Sequence, residues 1–182
     1  MAIGWTRRRR IAAVVALLTA VVAFAATTVR LFIRPDLAPL PPHADAIIDL
    51  GGPGDDRDAV ALDLARGHRA SYLVQSTVEI DAGTDHCLPA VPGVTVLCFH
   101  PEPNTTRGEA RSIARLAAQY HWRSVILVTT TDHAWRAALR VRRCFPGEIY
   151  VSPSHLPVAD WAGAIQYQWA ATAKAVLVER SC

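Results

Sequence analysis

The chain has 182 residues, half of them apolar, and a formal net charge of +3, which allows one ordinary domain with a real core plus an appendage. Six of its 19 basic residues (Arg7, Arg8, Arg9, Arg10, Arg30, Arg34) and none of its 16 acidic ones fall within residues 1–34, so the remainder carries a net charge of −3. A mildly acidic body excludes the basic surface that nucleic-acid binding requires, and no nucleic-acid partner is expected.

Residues 1–34 predict a membrane segment. Four arginines precede Ile11 to Val29, an uncharged run rich in Ala, Val and Leu. At helical rise this run spans roughly 28 Å, close to the hydrocarbon thickness of a bilayer. The arginine block should stay cytoplasmic and send the body outward. A retained transmembrane anchor is one reading. A signal peptide cleaved near Ala23-Phe24-Ala25, giving a secreted body, is the other. Both make the body extracytoplasmic, where four cysteines favour disulfides. The expected pairs are Cys87–Cys98, closing a loop before a strand, and Cys144–Cys182, tying down the C-terminal end. A zinc site from His86, Cys87, Cys98 and His100 is the competing use, although their spacing matches no standard finger.

Residues 35–43 are proline-rich and are expected to form an extended, semi-rigid spacer holding the domain off the membrane. The domain itself is expected to span 44–182. Ala44 to Leu50 reads as a first strand, followed by Gly51, Gly52 and Gly54, which let a ligand approach the backbone. Asp55 or Asp56 should cap a helix from Arg57 to Arg66 that Gly67 ends. Ser71 to Val74 is a second strand, residues 75–92 a long loop containing Gly83, and Val94 to Phe99 a third strand. Thr106 to Tyr120 reads as a helix with Thr106 as N-cap and Glu109 at capping-box spacing. Asn104-Thr105-Thr106 is also a glycosylation sequon.

Ser124 to Val128 is an apolar run of the kind found in buried parallel strands. Thr129, Thr130, Thr131 and Asp132 follow, offering caps for a helix that runs to about Arg143. His133 and Arg136 sit on its first turn, and Arg140 and Arg143 are expected on a solvated part of the same face. Ile149 to Val151 is a fifth strand. Asp160 should cap a last helix whose Trp161, Ile165 and Trp169 form a core stripe. Strand and helix alternate throughout, which implies a parallel sheet with helices on both faces.

In such sheets ligands bind beyond the carboxyl ends of strands. The first strand end supplies Gly51, Gly52 and Arg57; the third, His100, Glu102, Asn104, Thr105, Thr106 and Glu109; the fourth, Thr129, Thr130, His133 and Arg136. Guanidinium groups bind phosphate or carboxylate in a fork, and a histidine can transfer a proton or partner a phosphate. The expected ligand is therefore a small anionic molecule, free or lipid-linked. No catalytic metal and no cofactor are called for. Asp132 adjoins His133 and points elsewhere, and there is no G-x-S-x-G elbow, so a serine hydrolase is not expected.

Asp45-Ala-Ile-Ile-Asp-Leu-Gly-Gly with Arg57, Thr106-Arg-Gly-Glu-Ala, and Val128-Thr-Thr-Thr-Asp-His-Ala-Trp-Arg-Ala together resemble the YdcF-like (DUF218) family. The resemblance runs from about Ala44 to Val151 and rests most on the last block. It implies a Rossmann-like three-layer sandwich, often behind one N-terminal membrane helix, and an association with bacterial cell-envelope assembly. Gly51, Gly52 and Arg57 match its first block, Thr106 its middle threonine, and Thr129, Thr130, His133 and Arg136 its last. The chain departs from the pattern in three places. Gln75-Ser76-Thr77-Val78 replaces a Ser-Gly-Gly turn, Glu109 stands where Asn is common, and Asp49 replaces an apolar residue, to be buried with a partner or placed at the site mouth.

Overall fold

The structure, a computed structural model, describes residues 2–52, 56–77 and 87–182, with side chains from Arg7 onward. Gly54, Asp55, Gly83 and His86 lie outside the described residues. An N-terminal helix α1 (Ala2–Thr28) continues through a π-helical turn, Val29–Ile33. The segment Arg7–Ile33 is long and apolar enough to cross a membrane. The body then alternates β1 (Ala44–Asp49), α2 (Arg57–Arg66), β2 (Ala70–Ser76), β3 (Thr95–Phe99), α3 (Thr106–Tyr120), β4 (Ser124–Thr130), α4 (Ala134–Arg142), β5 (Glu148–Ser154) and α5 (Trp161–Ala173).

The five strands form one parallel sheet in the order β3-β2-β1-β4-β5. Helices cover both faces, giving a Rossmann-like α/β architecture. Alternation along each strand sorts side chains between two cores, because successive residues point to opposite faces. Ala46, Ile48, Val125 and Leu127 join Ala110, Ile113, Ala137 and Val141 of α3 and α4. Ile47, Leu73, Ile126 and Val128 join Ala61 and Ala65 of α2 on the other face. The order reverses between β1 and β4, so the chain leaving each of these strands flanks the crevice where open α/β sheets bind ligands.

Three strands, β2, β4 and β5, outrun their sequence-predicted ends. β4 continues through Thr129 and Thr130, which align with Pro153 and Ser154 of β5. The neighbouring strand supplies a ladder that no local propensity reveals. Helix α3 starts at the expected residue with a different cap. Thr105, not Thr106, is the N-cap, its hydroxyl accepting from the Gly108 amide. Gly108 is required here because a Cβ would lie 1.9 Å from the Pro103 carbonyl oxygen. Helix α4 has His133 at its N-cap position without a side-chain cap bond, so neither the threonines nor Asp132 cap it. Asp56 and Asp160 occupy the N-cap positions of α2 and α5, likewise without side-chain cap bonds.

The proline-rich segment does not stand free. Leu37 packs on one core and Leu40 on the other, and Arg69 donates to the Pro41 carbonyl. The end of the N-terminal helical segment is also seated on the body, with Phe32 fully buried. Both expected disulfides form, Cys87–Cys98 and Cys144–Cys182, and the first leaves no thiolate for the zinc grouping. The second secures a C-terminal strap. Arg143 Nη1 donates to the carbonyls of Ala175 and Glu179, each at 2.7 Å, and Arg140 reaches the Glu179 carboxylate. Arg107 and Arg111 both donate to the Cys182 carbonyl. Arg140 is buried, contrary to the solvated face expected for it.

Candidate functional site

Each site residue is placed by a local rule. Arg57 opens α2 on the face that Ala61 and Ala65 bury, four residues apart. Its Nη1 donates to the carbonyls of Leu50 and Gly51, both at 2.8 Å. A Cβ on Gly52 would lie 2.1 Å from Arg57 Nη2, so the guanidinium fills space that only glycine leaves open. The Gly51 amide donates to Glu109 Oε1 at 2.7 Å. Glu109 therefore serves the turn after β1, not a capping box at its own helix start.

Moving the cap to Thr105 turns Thr106 inward. Its Oγ1 lies 3.4 Å from His133 Nε2 and accepts from Arg136 Nη1 at 3.2 Å. The other ring nitrogen, Nδ1, lies 2.9 Å from Thr129 Oγ1 at the end of β4. Burial, then the positive charges of Arg136 and Arg57, hold the His133 imidazole well below the usual histidine range, so it is neutral at pH 7. A neutral ring has one donor and one acceptor nitrogen. Since Arg136 already donates to the Thr106 oxygen, Thr106 is suited to donate its proton to Nε2, with Nδ1–H donating to Thr129. The result is a hydroxyl beside an acceptor nitrogen and a guanidinium.

Arg136 is held by residues distant in sequence. Its Nε donates to Gln168 Oε1 at 2.8 Å, and Gln168 Nε2 donates to Asp132 Oδ2 at 2.8 Å. The Tyr167 ring lies 5.5 Å from its guanidinium carbon, a cation–π distance. Gln168 and Tyr167 were not anticipated. The one local signal was a glutamine pair in an otherwise apolar helix. Asp132 thus orients Arg136 through Gln168.

Two cavities meet at this crevice. One, of about 450 Å³, is lined by Arg57, Thr106, Thr130, His133, Arg136 and Gln168 among others. The other, of about 280 Å³, adds Asn104, Glu109, Arg140 and Lys174. Gly51, Gly52, Thr106, Arg136 and Tyr167 line both. Arg57, Thr106, His133 and Arg136 therefore converge on one pocket. His100 does not join them; its Nδ1 lies 3.1 Å from Thr77 Oγ1 at the β2–β3 edge. Asp49 is buried within the strand rather than at the mouth. Burial pushes the Glu109 carboxyl above the usual carboxylate range, against the Gly51 amide, Ser76 and the two arginines.

The shifts give a pH prediction. His133 is neutral when folded, while the unfolded ring gains a proton below about 6.5. The unfolded state then binds more protons, so stability falls on acidification by about 1.4 kcal/mol per pH unit until the folded ring protonates. Glu109 acts with the opposite sign, because its raised value makes the folded state hold the proton longer as pH rises from 4.5. Comparing the wild type with His133→Asn cancels the Glu109 contribution. Denaturant unfolding at pH 5 and pH 7 should show a shallower acid loss in the variant; equal losses in both proteins would disprove the assignment.

Comparison with protein families, characterised proteins and solved structures gives no match for this chain.

Proposed function

We propose that the protein is a membrane-anchored, extracytoplasmic YdcF-like protein of cell-envelope biogenesis that binds or processes a phosphorylated or otherwise anionic envelope metabolite. The observation that carries this reading is the convergence of Arg57 and Arg136 on one cavity with Thr106 and neutral His133. Two guanidinium groups in a largely buried pocket attract an anion strongly, since charge-assisted bonds strengthen away from water. The apolar N-terminal helix behind an arginine block supports anchoring, and the two disulfides support an oxidising compartment. In the catalytic form, His133 takes a proton from Thr106 or from a ligand hydroxyl in its place, and Arg136 stabilises the developing negative charge.

A non-catalytic ligand-binding regulator is the second reading. It is favoured by the two threonine hydroxyls that already occupy both ring nitrogens of His133. A thermal-shift screen of the full chain against nucleotides, sugar phosphates and lipid-carrier phosphates tests the shared premise. A ligand at 100 times its Kd raises stability by about 2.7 kcal/mol. His133→Ala then separates the readings: retained binding with lost complementation supports catalysis, whereas full complementation leaves only the regulator. If no anionic compound stabilises the protein, both readings fail.

A further inference from the structure

Helix α5 differs from α2 and α3 in what it turns outward. Helix α2 presents Asp58, Asp63 and Arg66 to solvent, and α3 presents Arg115 and Gln119, the ordinary surface of a water-facing helix. From Trp161 to Ala173 α5 carries no charged residue. Its outward stripe reads Ala162, Gln166, Ala170 and Ala173, continued by Leu177 in the π-helical turn Lys174–Val178. Leu177 is 65% and Val178 74% exposed, and Tyr167 63%. The expected core stripe of Trp161, Ile165 and Trp169 is only half-buried; Gln168, Thr172 and Ala175 are the buried positions.

What α5 touches explains this composition. The Trp169 ring stacks on Phe24 at 4.8 Å and meets Phe32 edge-on at 5.4 Å. Its Nε1 donates to Thr28 Oγ1 at 3.1 Å. Phe24 and Thr28 belong to the uncharged run of α1, and Phe24 precedes Arg30 by six residues, about 9 Å of helix. Contact with Phe24 therefore seats Trp169 inside the apolar stretch, not beyond it. In-plane membrane helices lie at this depth, buried about 5–10 Å into the headgroup and acyl boundary. Trp and Tyr favour that boundary, and a lysine such as Lys174 can reach from it to water.

We infer that α5 is a second membrane contact: an in-plane helix that lies in the outer leaflet beside α1 and buries Ala170, Leu177 and Val178 among lipid. The inference rests on the reading of α1 as a retained anchor. Its occupant is the lipid bilayer, because the exposed face continues the apolar surface of α1 through the Trp169–Phe24 stack. Gly163, Ala164, Tyr167 and Gln168 of the same helix form one wall of the pocket, so the site lies at headgroup level.

Four variants of the full chain, each adding one cysteine, test it: Ala170→Cys and Leu177→Cys on α5, Asp63→Cys on α2 and Val15→Cys on α1. Each is labelled with bimane in detergent and reconstituted in phosphatidylcholine vesicles, with mass mapping to verify both native disulfides. Lipids carrying a doxyl group should quench the α5 labels, and aqueous iodide should quench them about tenfold less than the Asp63 label. Iodide quenching of the α5 labels equal to that at Asp63, with Val15 quenched only by lipid, overturns the inference and leaves the anchor intact. Iodide quenching at Val15 removes the anchor reading and the inference with it. Labels on α5 reached by neither quencher indicate that a second copy covers the face, which also overturns the inference.

Discussion

Arg136→Met is expected to weaken binding of the most stabilising anion by about 10²- to 10³-fold, equivalent to about 3–4 kcal/mol. Arg136 borders both cavities, and among the described residues its Nη2 makes no hydrogen bond, leaving a donor for a ligand. Methionine keeps much of the aliphatic volume and removes the charge. The loss has a structural part too, since Gln168 Oε1 would be left buried without its donor at a cost of about 1–3 kcal/mol. Asp45→Ala separates the two effects. Asp45 Oδ2 accepts from the Arg123 and Ser124 amides at the opposite, N-terminal edge of the sheet, and Asp45 lines neither cavity. It should lower stability while leaving affinity within about threefold of wild type. Titration calorimetry on both variants decides the matter; an unchanged Kd in Arg136→Met would remove this residue from the binding site.

Replacing Cys144 and Cys182 together by serine should cost about 4 kcal/mol of stability, because the bridge closes a 38-residue separation. The Cys87–Cys98 bridge closes 11 residues and should contribute about 3 kcal/mol in the same chain-entropy treatment. The C-terminal bridge has a functional consequence that the other lacks. It holds the strap bearing Glu179, and Glu179 and Lys174 both line the smaller cavity. Among the described residues Glu179 also receives Lys174 Nζ at 3.0 Å. Loosening the strap should therefore weaken anion binding as well as lower the unfolding midpoint. Urea unfolding in detergent, paired with the calorimetric assay, would contradict this account if the C-terminal double variant lost less than about 1 kcal/mol.

Much of the body was readable in advance because its signals are local. Apolar runs such as Val125 to Val128 mark buried parallel strands, and the spacing of Ala110, Ile113 and Ala117 marks the core face of α3. The glycines after β1 and the arginine opening α2 were legible as residues of the crevice at the strand ends, and Gly51, Gly52 and Arg57 line one cavity. The fine geometry at Thr106 was not readable. A shift of the cap by one residue turns a side chain from the backbone toward the pocket, and the sequence offers two adjacent threonines for the same role. Glu109 at capping-box spacing has the same ambiguity, which only the position of the Gly51 amide resolves.

The amino-acid sequence by itself determined the alternation of strands and helices, the membrane-length apolar helix and the strand ends that carry Gly51, Thr106 and His133. These follow from periodicity, composition and chain order. Tertiary structure decided what those residues do: that Asp132 reaches Arg136 through Gln168, 36 positions away in sequence, and that Arg140 anchors the C-terminal strap. It also decided that Trp169 of α5 meets α1, bonding Thr28 across 141 positions. Each joins groups far apart in the chain, and no local pattern in the chain encodes such a partner.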